Sequence, residues 1–179
     1  MAALAGGTGD YGGATDRAAA DDQYFLCNPA LIGVLVRAAA PRPHERVCEL
    51  GAGAGTVAAA LPPVAALDLV ELDPRLCARL RRRFAGNPAV RVRCADALEA
   101  LARDRYDVVL SNLPRSLTGE VLDRLVGITF RIAIVAVPTG CDLDRWRGRL
   151  RITPVTTAHG DDFMPPQPYE TTYFAVRLR

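Results

Sequence analysis

The chain contains 179 residues, half of them hydrophobic, which is enough apolar material for one well-packed domain and too little length for two sizeable ones. Its formal net charge of +2 allows a nucleic-acid partner but does not by itself indicate one. The sequence contains no lysine, so apart from two histidines its basic side chains are guanidinium groups, which are always charged and can bind phosphates or stack on bases.

The five cysteines and two histidines form no pattern typical of a metal site or a disulfide framework. They include no CxxC pair, and His44 and His159 stand far apart. The odd cysteine count favours a reducing compartment, so we expect a cytoplasmic protein without a bound metal. Arginines interrupt the apolar runs, as in "ITFRIAIVAVP", and we expect neither a membrane span nor a secretion signal.

Residues 1–20 are rich in alanine and glycine and have no apolar period, which predicts a flexible N-terminal arm. The glycines of this arm have no strand before them and no Lys-Ser/Thr pair after them, so they do not indicate a phosphate loop. We expect one catalytic domain over residues 21–179.

Short apolar runs rich in Val, Ile and Leu alternate with helix-like stretches along this domain. The predicted strands are residues 46–50, 66–72, 89–95, 106–112 and 131–137. The predicted helices are residues 28–40, 55–61, 73–84, 96–104, 118–127 and 141–150. This alternation is typical of an α/β, doubly wound fold with a mostly parallel sheet.

The C-terminal segment breaks the alternation. Residues 151–160 and 169–179 read as two strands without a helix between them, and a turn-rich "DDFMPPQP" joins them. We therefore predict a terminal antiparallel hairpin that completes a seven-stranded sheet.

A glycine-rich bend, "ELGAGAG", follows the first predicted strand of the sheet. Gly51 and Gly53 would let the backbone approach a ligand, and the helix predicted after them would present free N–H groups. Glu71, 20 residues beyond Gly51, ends the next strand, where a carboxylate can accept hydrogen bonds from ribose hydroxyls. Asp96 follows the third strand, near the expected position of an adenine amino group. Together these residues indicate an adenosine site.

The choice between a nicotinamide dinucleotide and S-adenosylmethionine rests on two details of the bend. The third glycine of the usual GxGxxG spacing is missing, because Thr56 and then Val57 follow the bend instead. Glu49 precedes the glycines, and the charged amino acid end of S-adenosylmethionine needs polar partners there. Both details favour S-adenosylmethionine.

Motifs over nearly the whole chain from about residue 22 resemble the rRNA adenine N6-dimethyltransferase family, which includes KsgA and the Erm macrolide-resistance enzymes. In chain order they are "DQYFLCNPALIGVLV", "VCELGAGAG", "VELD", "ADAL", "SNLPRSLTGEVLDRL" and "DFMPPQP". The family counterparts read roughly QNFL, EIGPG, IELD, GDAL, NLPY and FxPxPxV. The resemblance implies a Rossmann-like class I methyltransferase that uses S-adenosylmethionine to methylate the N6 amine of an adenine in RNA. The expected RNA is ribosomal RNA.

The resemblance also implies site residues. The methyl-donor contacts would be Tyr24, Leu26, Gly51, Gly53, Glu71, Asp96 and Asn112. The acceptor amine would face Asn112, Leu113 and Pro114. An amide oxygen and the next main-chain carbonyl can accept both N–H bonds of the amine and turn its lone pair towards the methyl group, while proline holds the loop.

The chain departs from the family pattern in the acceptor region. Arg115 stands where the family usually has an aromatic residue that stacks on the base, and a guanidinium can also stack and pair with a phosphate. The resemblance makes Phe163 a second stacking candidate, and a core position for its ring is equally open.

Family members continue into a helical domain that helps to grip RNA, and we expect this chain to lack it. RNA binding would then depend on arginines of the catalytic domain, on a helper protein or on self-association. Two alternatives stay open: methylation of an amine of a small molecule or peptide, and a non-catalytic RNA-binding role.

Overall fold

A seven-stranded sheet forms the centre of the computed structural model, which describes residues 23–179. The predicted arm, residues 1–20, lies outside the described residues. The strands are β1 (Phe25–Leu26), β2 (Arg46–Leu50), β3 (Ala66–Glu71), β4 (Val90–Cys94), β5 (Val108–Ser111), β6 (Ile132–Pro138), β7 (Leu150–Ala158), β8 (Phe163–Met164) and β9 (Thr171–Leu178).

The sheet has the strand order β4-β3-β2-β5-β6-β9-β7, and β1 pairs separately with β8. Among these seven strands β9 alone runs in the direction opposite to the other six, since it lies between β6 and β7 and pairs antiparallel with both. The predicted α/β fold with a mostly parallel seven-stranded sheet and a C-terminal antiparallel hairpin is confirmed. The hairpin strands are not simply added at the edge, since the later strand is inserted between the earlier two.

Five helices of the described chain connect these strands: α1 (Pro29–Ala39), α2 (Pro74–Arg83), α3 (Ala97–Arg103), α4 (Thr118–Val126) and α5 (Asp144–Arg147). Three of them begin at the polar residue that the sequence suggests, because the side chains of Asn28, Asp73 and Asp96 accept hydrogen bonds from the first free backbone N–H groups. Helix α5 is shorter than predicted, since Leu150 already begins β7.

The helix predicted over residues 55–61 is wrong. A single 3-10 turn, Ala58–Ala60, takes its place. Gly55 still has a positive φ of 74°, and Pro62 and Pro63 prevent continuation beyond Leu61, so too few residues remain for an α-helix. The glycine bend is therefore not followed by a helix N-terminus that could bind a ligand.

The parallel strands are apolar on both faces because the sheet separates two cores. Val47, Leu67 and Val108 belong to one cluster of buried side chains. Cys48, with Leu50, Val70 and Val109, belongs to the other. Side chains of successive strand residues point to opposite faces, which explains why these strands read as continuous apolar runs.

A buried ion pair connects the beginnings of β2 and β6. Arg131 donates from Nη2 to Glu45 Oε2 at 2.9 Å and to the carbonyl of Ala39 at 3.0 Å. Glu45 is 3% exposed. Hydrogen bonds from Arg131 hold the pKa of the Glu45 carboxyl below its usual range. The pair ties the end of α1 to the edge of the sheet opposite to the polar strand ends.

We expect Arg131→Met to lower the free energy of unfolding by about 3 kcal/mol, because the Glu45 carboxylate is then buried without its cation. Arg103→Met is the matched control, since Arg103 pairs with Glu99 on the surface and such a pair is worth about 0.5 kcal/mol. Chemical denaturation of both variants measures the difference. Equal losses would contradict a structural role for the buried pair.

Candidate active site

A cavity of the described chain opens where the parallel strands end. Its volume is about 150 Å³. Parallel strands of an α/β sheet present their carboxyl ends at one edge, and ligands of such folds bind there. The predicted site residues that line it are Tyr24, Gly51, Glu71, Asp96, Asn112, Leu113, Pro114 and Arg115. The structure therefore brings together residues from four strand ends and from the segment before α1.

The glycine bend approaches the loop after β5 closely. Gly51 has a φ of 69°, and a Cβ at this position would lie 2.8 Å from Leu113 Cδ2. Gly53 has a different role, because its N–H donates to Glu71 Oε2 at 2.8 Å and a Cβ there would lie 2.7 Å from the Phe25 ring. Gly51 thus lines the cavity, whereas Gly53 lies behind it and holds Glu71.

Main-chain N–H groups hold the carboxylate of Glu71 on both oxygens. Oε1 accepts hydrogen bonds from Leu72 at 2.8 Å and from Asp73 at 3.0 Å, and Oε2 accepts the bond from Gly53. Because a carboxylate oxygen offers two lone pairs, Oε2 can accept one further hydrogen bond. The side chain is buried and oriented at the cavity wall, as a partner for a ribose hydroxyl requires.

Asp96 combines two roles that the sequence could not separate. Its Oδ1 accepts hydrogen bonds from Leu98 at 2.8 Å and Glu99 at 3.0 Å and so caps α3. The same residue is exposed and lines the cavity. The cap therefore restricts the orientation of a carboxylate at the cavity wall, and its contact with an adenine stays a prediction.

The amide of Asn112 is hydrogen-bonded at both ends. Its Nδ2 donates to the carbonyl of Tyr24 at 3.2 Å, and its Oδ1 accepts from the Tyr173 hydroxyl at 2.8 Å. Asn112 nevertheless lines the same cavity as Gly51 and Glu71. The amide is therefore part of the cavity wall and is held at a defined orientation.

A wall of aromatic and cationic groups follows the loop. The Arg115 guanidinium carbon lies 5.1 Å from the centroid of the Tyr169 ring, and the Tyr24 ring meets the Tyr169 ring edge-on with centroids 5.8 Å apart. Gln167 is buried and donates to the carbonyl of Tyr169 and to Thr171 Oγ1, each at 2.8 Å. Sequence reasoning missed Tyr169, although an aromatic residue directly after the proline-rich turn was a usable signal.

Two predicted contacts do not reach the cavity. Phe163 is 2% exposed and packs in the core, so its ring is not available to stack on a substrate in this structure. Leu26 is buried in the same cluster. It alternates along β1 with Phe25, whose side chain lies beside the glycine bend and the cavity. Because Phe25 faces the cavity, the side chain of the next residue in the strand, Leu26, points to the opposite face.

Glu49, which was predicted to face the amino acid end of the donor, does not line the larger cavity. The side chain is 6% exposed and lines a smaller cavity of about 20 Å³ with Ser111, Asn112 and Tyr173. Its Oε2 accepts no hydrogen bond within the described chain. Burial is the main cause that raises the pKa of the Glu49 carboxyl to about 8. The charge of Glu71 adds to this shift, whereas a hydrogen bond from the Ala58 N–H and the charge of Arg83 oppose it.

Within residues 23–179 no three His, Cys, Asp or Glu side chains are grouped as metal ligands would be. The same part of the chain contains no helix with the length and apolar character needed to cross a membrane.

The sequence of this chain is similar to the sequences of known proteins. Residues 17–139 match the family model described as ribosomal RNA adenine dimethylase. The ribosomal RNA small subunit methyltransferase A of Parasynechococcus marenigrum is 40% identical over 111 residues, which are 59% of this chain and 37% of that protein. The protein of the same name from Thermotoga petrophila is 33% identical over 116 residues, 64% of this chain and 45% of that protein. The chain thus aligns with less than half the length of these relatives.

Solved structures support the fold. A dimethyladenosine transferase from Plasmodium falciparum has a TM-score of 0.79 at 18% identity, with 87% of this chain and 63% of that chain covered. The 23S rRNA methyltransferase ErmE has a TM-score of 0.79 at 22% identity, with 87% of this chain and 70% of that chain covered. At these identities the likeness concerns the architecture alone.

The stability of the fold should depend on the protonation of Glu49. Its folded pKa of about 8 exceeds the ordinary value of 4.5, so the folded state keeps a proton that the unfolded chain releases between these pH values, and stability falls as the pH rises through this range. We expect Glu49→Gln to stabilise the protein by on the order of a few kcal/mol above about pH 8 and to change little near pH 5.

Thermal denaturation at several pH values measures this effect, and the exposed Glu99→Gln provides the control. If the difference between Glu49→Gln and the parent protein is the same at every pH, Glu49 is not protonated in the folded state.

Proposed function

Because this chain belongs to the ribosomal RNA adenine dimethylase family, we propose that it transfers methyl groups from S-adenosylmethionine to the N6 amine of an adenine in RNA. The names of the curated relatives favour ribosomal RNA as the substrate. An enzyme that acts on this substrate would be located in the cytoplasm. The observation that carries the proposal is that Asn112 shares one cavity with Gly51 and Glu71. A donor site and an acceptor loop can therefore meet at one point.

The residues at the cavity wall suit S-adenosylmethionine. Glu71 Oε2 is oriented to accept from a ribose hydroxyl, and Asp96 lies at the next strand end for an adenine amino group. Gly51 leaves space that a side chain would fill, while Tyr24 and Asn112 complete the donor site. When bound, the cofactor supplies an electrophilic methyl carbon on a positively charged sulfur. Gly53 would contribute to the donor site indirectly, because its N–H holds Glu71. Leu26 would contribute indirectly through the packing of β1.

The acceptor amine would be held by Asn112, Leu113 and Pro114. An exocyclic amine conjugated with a ring is a weak nucleophile, because its lone pair is delocalised. Asn112 Oδ1 and the carbonyl of Leu113 would accept its two N–H bonds and favour a pyramidal nitrogen. Pro114 restricts the loop to one geometry. Positioning then supplies most of the rate, and no strong base is needed because a neutral sulfur leaves readily.

Arg115 and Tyr169 would hold the acceptor ring. The guanidinium lies over the Tyr169 ring, so the two groups together form a wall beside the loop. A base can stack against such a wall, and the charge of Arg115 favours an adjacent phosphate. Tyr169 would supply the aromatic surface that Phe163, buried in the core, does not offer.

The surface of the domain offers arginines for RNA. Helix α2 begins two residues after Leu72 at the cavity rim, and its exposed Arg75 and Arg82 lie on one face because they are seven residues apart. The arginines of α5 are already engaged, because Arg145 pairs with Asp123 and stacks on Trp146. The α2 face is therefore the stronger candidate for phosphate contacts, with a helper protein or a second copy of the chain as further sources of RNA contacts.

The proposal is tested by calorimetry with S-adenosylmethionine and S-adenosylhomocysteine, followed by transfer of labelled methyl groups to total RNA. We expect binding of both compounds and labelling of RNA, and we expect Asn112→Ala to reduce transfer at least about 100-fold without loss of fold. Asn87→Ala is the control, because Asn87 is an exposed turn residue outside the cavity.

Two outcomes would contradict the proposed function and favour a different one. Turnover with a panel of small amines or peptides, but none with RNA, would identify a different acceptor. RNA binding without donor binding at millimolar concentration would identify a non-catalytic relative.

A separate prediction concerns the stacking of an RNA base on Tyr169. Tyr169→Leu should raise the KM for RNA about tenfold, because the stacking of one base is worth roughly 1–3 kcal/mol. Tyr169→Phe keeps the ring and should stay within about twofold of the parent protein. Steady-state kinetics with RNA, alongside calorimetry with the donor, separates this effect from donor binding, and equal KM values for the two variants would contradict it.

A further inference from the structure

The hydroxyl of Tyr173 lies against the loop that carries Asn112, although 61 residues separate the two. Tyr173 is 1% exposed, and its hydroxyl oxygen is 2.8 Å from Asn112 Oδ1. Tyr173 does not line the larger cavity but a smaller one, and Asn112 lines both. No motif of the sequence pointed to this side chain.

The hydrogen bonds leave one orientation for the Asn112 amide. The carbonyl of Tyr24 can only accept, so the amide atom that faces it at 3.2 Å must be Nδ2. Oδ1 then faces Tyr173, and because an amide oxygen has no proton, the hydroxyl must donate. Burial raises the pKa of the Tyr173 hydroxyl, so it keeps its proton and remains a donor.

The sheet topology brings the two residues together. Asn112 directly follows β5, whose last residue, Ser111, pairs with Val135 of β6. The next residue of β6, Ala136, pairs with Tyr173 of β9. The tyrosine side chain thus reaches across β6 to the end of β5, and the insertion of β9 beside β6 makes this possible.

We propose that Tyr173 is a positioning residue for methyl transfer, because its hydroxyl fixes the orientation of the Asn112 amide that receives the acceptor amine. The inference rests on the proposed function for its catalytic consequence, but the orientation of the amide is measurable without turnover. The hydroxyl uses one lone pair of Oδ1, and the second is available to an N–H of the amine. Without the hydroxyl, the amide keeps the Tyr24 carbonyl alone as partner and can turn about its side-chain bonds.

Tyr173→Phe tests the proposal, since it removes the oxygen and preserves the ring. We expect kcat to fall about tenfold, because misplacement of an orienting group by a fraction of an ångström costs this much, while donor affinity and the KM for RNA stay within about twofold. Tyr106→Phe is the matched control: Tyr106 is 3% exposed and donates to Asp68 Oδ2 at 2.8 Å, away from both cavities.

The amide signal of the Asn112 side chain, assigned by its absence from Asn112→Ala, provides a readout that does not need activity. In Tyr173→Phe we expect this signal to shift and its hydrogens to exchange about fivefold faster, whereas Tyr106→Phe leaves both unchanged. An unaltered amide signal in Tyr173→Phe overturns the proposal. Equal losses of kcat in the two variants also overturn it, since they would reflect a general loss of stability.

If the parent protein transfers no methyl group to RNA, the proposed function fails, and the amide signal alone decides whether Tyr173 orients Asn112.

Discussion

The hydrogen-bonded amide of Asn112 is the interaction on which the rest of the candidate site depends. Tyr24 before the first helix, Asn112 at the end of β5 and Tyr173 in β9 meet there, and two hydrogen bonds join them. Each of these segments carries a different part of the cavity wall. The bond from β9 makes the last strand of the sheet a structural part of the acceptor loop, and a buried hydroxyl there cannot exchange its partner for water without opening the core.

The donor half of the cavity follows a different principle. In many nucleotide-binding folds a helix N-terminus after the first strand receives the ligand. Here that helix is replaced by a 3-10 turn, and main-chain N–H groups are directed to Glu71 instead. The carboxylate is thereby oriented by three backbone donors before any ligand is present. Such orientation lowers the entropy lost on binding, because the side chain has no rotamers left to give up.

Prediction from the sequence succeeded for features that the residues of a single strand or helix determine. The strands read as apolar runs because both of their faces are buried, and the polar residues at their ends lie at one edge because parallel strands share a direction. Gly51, Glu71, Asp96 and Asn112 therefore line one cavity. Prediction failed where the sequence did not indicate which of two neighbouring side chains faces the cavity. Leu26 and Phe163 belong to short strands whose side-chain direction only the pairing of β1 with β8 establishes.

The amino-acid sequence by itself determined the alternation of strands and helices, the helix caps and the order of polar strand ends, because these depend on residues close together in the chain. The tertiary structure decided which side chains reach the cavity. Tyr169 lines it and Phe163 does not, because the buried amide of Gln167 holds the turn in one conformation. Tyr173 reaches Asn112 because β9 is inserted beside β6, and Tyr173 lines the smaller cavity together with Glu49. These contacts join residues far apart in sequence, and no local pattern encodes the packing that selects them.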